Sequence, residues 1–239
     1  MTDNKVNCLI CDAEIEYLEN AIEMKCSSCG KFFTSNARCE NKHFICDSCH
    51  SKKGIAVIKA ICIEEQSKNP IEIFEKICHN SNIHMHGPEH HVLVGVSLLT
   101  AFYNANAPED RESLEKDLGE MIYRGRRVPG GVCGDWGTCG ASISLGILAS
   151  ILTKASPLTT DSWGTINTVT SKSLAKMGEI GGPRCCKRNG FIAIETGIDF
   201  IKEEFGVDLE RTQPVCDFVK YNKECILMKC PYFPSHHKK

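Results

Sequence analysis

The chain has 239 residues, 42% of them hydrophobic and 24% charged, enough for one or two domains with a real core. A formal net charge of −2 offers no global basic field for nucleic acid and no acidic one for a disordered tail. Sixteen cysteines set it apart. The first residues are polar and lack the apolar stretch of a signal peptide, and no apolar run approaches the roughly 18 residues of a membrane helix. A cytoplasmic protein without a membrane segment is therefore expected. In that compartment closely spaced cysteines mean metal or catalysis, not disulfides. So many thiols also suit an anaerobic host.

Residues 1–54 read as a metal module. Three cysteine pairs have two residues between partners: Cys8 and Cys11, Cys26 and Cys29, Cys46 and Cys49. Cys39 and His43 lie between the last two pairs. The short spacing lets two thiolates of one tight turn reach one ion at about 2.3 Å, and eight ligands fill two closed tetrahedral zinc sites. Apolar residues are sparse here, so metal binding would supply much of the folding free energy. A crossed arrangement unites Cys26, Cys29, Cys46 and Cys49 at one site and Cys8, Cys11, Cys39 and His43 at the other. Sequential pairing is the rival, and His50 could replace His43. Residues 26–49 resemble the first three ligand pairs of a RING finger. They depart from it in lacking the last pair and in having Cys8 and Cys11 in front. A ubiquitin ligase does not follow from that likeness.

Residues 55–239 are expected to form an α-helical, cysteine-rich domain, so the fold class is mainly α behind a small zinc module. Ile55, Ile58, Ile61 and Cys62, then Ile71, Phe74, Ile77 and Cys78, recur at helical spacing over residues 53–78, with a break at Asn69 and Pro70. Cys62 and Cys78 fall on the apolar stripes and read as small core residues. Residues 79–91 hold five of the nine histidines. His84 and His86 precede a helix entered at Gly87 and Pro88, and His90 and His91 ride its first turn. The cluster reads as a site, with ligand, proton-transfer and capping roles all open. His86 and His90 are candidate catalytic groups.

A further helix, roughly 109–123, carries acidic residues first and Arg124, Arg126 and Arg127 at its end, as the helix dipole favours. A glycine-dense loop follows and holds Cys133, Asp135, Trp136 and Cys139 ahead of an apolar helix over 141–152. Thiols at a helix entrance gain from the unpaired N–H groups and the dipole there. Trp136 reads as a shield from water or as a core aromatic. After a Ser/Thr-rich helix from Asp161 to about Met177, a second loop presents the adjacent Cys185 and Cys186 among Arg184, Lys187 and Arg188. Vicinal thiols can face a cluster, form a redox-active disulfide or point to different partners. A helix over 188–205 ends at Gly206. The tail adds Cys216, Cys225 and Cys230, the last followed by Pro231 as in many ferredoxin-type runs. His236 and His237 read as a ragged end.

Cys133 to Ala141 with the later paired cysteines is similar to the redox-active proteins named for a C-GCAxxG-C-C motif; Thr138, Cys139, Gly140 and Ala141 stand where that motif has glycine-cysteine-alanine. Nearly the whole chain resembles an uncharacterised cysteine-rich family of archaeal and anaerobic bacterial proteins. Its hallmarks are the metal module, the element at 86–91, residues 133–140 and residues 182–188. The resemblance implies a site and leaves the reaction open.

Cys133, Cys139, Cys185 and Cys186 are expected to converge as cofactor ligands, with Cys216, Cys225 and Cys230 as a second tier and Cys185 and Cys186 as candidate catalytic thiols. The expected function is a cytosolic redox protein that holds an iron–sulfur cluster or a reactive dithiol and works with an electron- or sulfur-handling partner. A zinc-stabilised adaptor without catalysis is the alternative. A metal-dependent transferase or hydrolase using His84, His86, His90 or His91 is a third. It lacks any His-Glu-x-x-His pattern, phosphate loop or dinucleotide fingerprint.

Overall fold

The structure, a computed structural model, describes residues 7–237. Among these it has a two-stranded antiparallel hairpin followed by eight α-helices and a tail with three 3₁₀ turns. The expectation of a mainly α chain behind a small cysteine-rich module holds.

The hairpin consists of β1 (Ile15–Lys25) and β2 (Phe32–Cys39), in a register that sets Ile15 opposite Cys39 and Lys25 opposite Phe32. Both strands are largely exposed, so they bury little apolar surface of their own. Their connection carries Cys26 and Cys29, closed by Gly30 at φ +73°. A parallel bridge between Cys26 and Phe44 then brings the chain back to the hairpin tip.

Helix α1 (Asp47–Glu64) starts directly after Cys46, its N-cap residue. It runs without interruption through residues 54 and 55, where module and body were expected to divide, and buries Ile55, Ile58 and Cys62 in the body. Helix α2 (Pro70–Cys78) follows the expected break. Asn69 caps it by accepting from the Ile71 N–H at 3.1 Å, and Pro70 fills the first turn, where a missing N–H costs nothing. Cys62 and Cys78 are fully buried among apolar neighbours, as core residues.

Helix α3 (His90–Asn106) is buried on every face, with thirteen of its residues in the core, and it packs against α1, α2, α4, α6 and α8. A helix apolar all round belongs at the centre, and this one is the axis of the body. Helix α4 (Arg111–Gly125) is the opposite case. Only Leu114, Leu118, Met121 and Gly125 are buried, one stripe at helical spacing, and Asp110 caps its start through the Ser113 N–H. The short α5 (Val132–Asp135) lies inside the first thiol loop, and α6 (Gly140–Leu152) begins where that loop ends. Helix α7 (Asp161–Ile180) packs on α6 and α8. Helix α8 (Cys186–Phe205) is buried through most of its first half, and Gly206 closes it at φ +68°.

The tail then crosses the body. Glu210 bonds back to the Lys68 carbonyl, Asn69 to Thr212, and His79 to Asp217 at 2.7 Å. Tyr232 donates to Glu195 at 2.6 Å while its ring packs on Phe191. His236 and His237 fall in the last 3₁₀ turn, where His236 meets the Met228 carbonyl at 3.0 Å. No helix among the described residues is long and apolar enough to cross a membrane.

Phe74 joins α2 to α8: its ring meets Phe191 edge-on at 5.3 Å and fills the space left by Gly190, where a Cβ would lie 2.3 Å from the ring. Phe74→Ala should cost about 3–5 kcal/mol in urea unfolding of the metal-loaded protein. A loss below about 1 kcal/mol would remove this contact from the core.

Candidate functional site

All sixteen cysteines are free thiols, and they fall into separate neighbourhoods. In the module the interleaved pairing is realised. The donor atoms of Cys8, Cys11, Cys39 and His43 lie within 4.8 Å of one another, and so do those of Cys26, Cys29, Cys46 and Cys49. Cys11 and Cys39 sulfurs are 3.8 Å apart, Cys29 and Cys46 sulfurs 3.9 Å. An ion bound tetrahedrally at about 2.3 Å from each sulfur requires separations of about 3.8 Å. His43 turns Nδ1 to the group, 3.2 Å from Cys11 and 3.6 Å from Cys39. His50 does not replace it, because α1 carries His50 toward the body.

Backbone N–H groups point at several of these sulfurs, although burial raises the Cys39 thiol. Cys8 accepts the Ile10 N–H, Cys39 the His43 N–H and Cys26 the Cys46 N–H, at 3.3–3.4 Å. The Asn41 amide, then backbone and further side-chain contacts, bring the Cys11 thiol down to about 6. Burial works against Cys26, yet N–H groups of Cys46, Cys29 and Ser28 together bring it to about 6 as well. Burial pushes Cys46 up to about 12, and a coordinating cation would reverse that direction. The two groups can hold metal ions such as zinc.

Cys133, Cys139, Cys185 and Cys186, expected to converge as one set, are divided. The two loops do meet: Asn189 in the first turn of α8 donates to the Cys139 sulfur at 3.3 Å. But Cys133 is exposed, and Trp136, at 66% exposure, neither shields a site nor joins the core. Cys186 receives the Gly87 N–H on the side of Cys139, and burial pushes its thiol to about 12. Cys185, one residue earlier and the N-cap of α8, lines a different, mostly apolar cavity. The other cysteines of that cavity are Cys216, Cys225 and Cys230, beside Arg188 and Phe218. The supposed second tier is thus the company Cys185 keeps.

The division has a steric origin. Cys185 is the extended N-cap residue and Cys186 the first helical one, so the backbone changes direction between them and their side chains leave it on different sides. Within the cavity the sulfurs again collect N–H groups: Cys185 from Arg188 and Lys187, Cys216 from Phe218, Cys230 from Tyr232. Receipt from two residues downstream repeats the Cys8–Ile10 and Cys26–Ser28 pattern of the module. Burial nonetheless raises Cys185 and Cys230, against the lowering charge of Arg188, and takes Cys216 to about 12.

The histidines also separate. His91 donates through Nδ1 to the Val128 carbonyl at 3.0 Å, and its ring occupies the place where a Cβ on Gly140 would lie, 2.0 Å away. Gly140 therefore serves packing. His86 contacts Glu224 at 3.3 Å and Asn222 at 3.4 Å, and burial followed by the charge of Arg184 lowers it to about 4. His90 is fully enclosed: Nδ1 donates to the Gly87 carbonyl at 3.1 Å, and Nε2 takes the Lys187 ammonium at 2.9 Å. Burial, then Lys187, hold it neutral, well below the usual range. His84 instead joins His50 and Glu89, with donor atoms within 4.8 Å. Glu89 and Lys187 are the functional candidates that spacing did not reveal. Glu89 is the one carboxylate in residues 79–91, and Lys187 stands directly between Cys186 and Arg188.

Pairing can be read from double substitutions. Cys8→Ser/Cys39→Ser should remove one bound ion by mass spectrometry, and Cys8→Ser/Cys26→Ser two. The reverse counts would establish sequential pairing.

Comparison with curated proteins and with solved structures gives no match. A family model does match, over residues 58–233, so it takes in the helical body with Cys133 to Cys230, His84 and Glu89, and leaves the metal module and His50 outside. Most of the chain is covered, and it belongs to the family of unknown function DUF5714.

Proposed function

We propose that this chain is a metal-binding redox protein whose tail closes an iron–sulfur cluster against the start of α8. What carries the reading is one cavity lined by Cys185, Cys216, Cys225 and Cys230. Four thiols on one apolar wall match the usual cluster ligand count. Among the described residues these four do not form a group within 4.8 Å, unlike the module's ligands. A cluster places its own metal and sulfide atoms between the thiolates, so it holds them wider apart than a single ion does.

The surroundings suit an anionic group. Cys185 stands at the N-terminus of a twenty-residue helix, where the dipole favours negative charge. The Arg188 guanidinium lines the cavity and is held by the carbonyls of Gly181 and Pro183 at 3.0 and 2.9 Å. N–H groups on three of the sulfurs are the means by which a protein sets a cluster's potential. The chemistry is one-electron exchange with a redox partner protein; the sulfurs stay bound and no bond to carbon is made. Two zinc ions would close the module, and a cytoplasmic, oxygen-poor setting would keep the thiols reduced.

Protein prepared anaerobically should be brown, with broad absorption near 400 nm and iron in a fixed ratio to chain. Cys216→Ser or Cys230→Ser should abolish the colour and iron while zinc stays, and Cys133→Ser should keep both. Colourless, iron-free protein with intact zinc would instead favour the adaptor reading.

A further inference from the structure

A third metal neighbourhood lies outside both the thiolate groups and the tail cavity. His50, in the first turn of α1, His84, in the loop before α3, and Glu89, the residue before α3, bring their donor atoms within 4.8 Å of one another. The carboxylate of Glu89 is wholly buried. One oxygen, Oε1, accepts the His84 backbone N–H at 3.0 Å. The other, Oε2, has no hydrogen-bond partner. It faces His50 Nδ1 at 3.6 Å, and that nitrogen is also buried without a hydrogen-bond partner.

His50 at 3.6 Å gives this buried oxygen an ion-pair contact but one too long for a good hydrogen bond, so the oxygen is under-satisfied, which is costly. Two donors held about 2.1 Å from one tetrahedral ion stand about 3.4 Å apart, close to the separation found. The position of Oε2 is also fixed by its neighbours. A Cβ on Gly87 would lie 2.3 Å from it, so only glycine there lets the carboxylate sit where it does.

We infer that His50, His84 and Glu89 bind a divalent first-row cation, zinc or iron(II), at the seam between the metal module and the helical body. Two imidazoles and one carboxylate are the donor set of open, reactive metal sites, not of closed structural ones. The fourth position is left to water or to an oxygen of a small anionic ligand. His50 is part-exposed, at 24%, though its Nδ1 is buried. The site shares no residue with the cluster cavity and stands or falls independently of it.

Full-length protein with its thiolate sites filled by zinc is dialysed and titrated with Co²⁺, and total zinc plus cobalt is counted. One equivalent beyond the module's two is expected, with weak visible bands and without the strong near-ultraviolet absorption of cobalt–thiolate bonds. His50→Ala and Glu89→Gln should each weaken that equivalent at least tenfold, with Cys225→Ser leaving it intact. If Glu89→Gln does not fold, His50→Ala decides alone, since His50 is part-exposed and its loss leaves the core intact. No third equivalent, as when a water bridges the pair, a thiolate spectrum, or unchanged affinity in the variants would overturn the assignment.

Discussion

The burial of one ammonium group governs how the functional half of this molecule is laid out. Lys187 has no exposed surface, and its Nζ reaches the His90 imidazole at 2.9 Å and the His84 carbonyl at 3.2 Å, with the Phe218 ring 5.0 Å below. A charge out of water must be met by fixed partners, and these come from two segments far apart in the chain. Meeting them pins the first turn of α8 against the 84–91 loop and against the tail. Once that turn is pinned, its neighbours have no choice of direction. Cys185 goes to the tail cavity, and Cys186 goes to the loop of Cys139.

The module is bound to the body by continuity as well as by contact. Cys46 and Cys49 hold an ion site at the very start of α1, and the same helix buries Ile58 and Cys62 in the core. Asp47 in its first turn accepts the Gly130 N–H at 2.7 Å and so anchors the loop that leads to Cys133. Lys223 reaches Glu14 at 2.8 Å, and Arg184 lies over Tyr17 at 5.5 Å. A change in coordination at Cys46 or Cys49 would therefore be felt at His50 one residue on, and from there at Glu89.

Much of this was legible in the sequence where the physics is local. The ligand pairs at Cys8, Cys26 and Cys46 show themselves because one tight turn must serve one ion. The helices show themselves because apolar residues repeat along them, as Leu114, Leu118 and Met121 do. The hairpin was hidden because its strands bury so little that they leave almost no alternating pattern. The partnership of Cys185 with Cys216, Cys225 and Cys230 was illegible in principle. Those residues are separated by long, irregular segments, and only the path of the tail, fixed by Asn69, His79 and Tyr232, brings them round. Glu89 was hidden for a similar reason, since part of its setting is supplied by His50, from the first turn of α1.

That arrangement also fixes an order of events during synthesis. Every thiolate of the module lies before residue 50, so it can capture its ions while most of the chain is still on the ribosome. Cys230 is the last cysteine to emerge, close behind Asp217 and just ahead of Tyr232, which fasten the tail. The cavity beside Cys185, in contrast, gains its wall of Cys216, Cys225 and Cys230 only once the tail has been made.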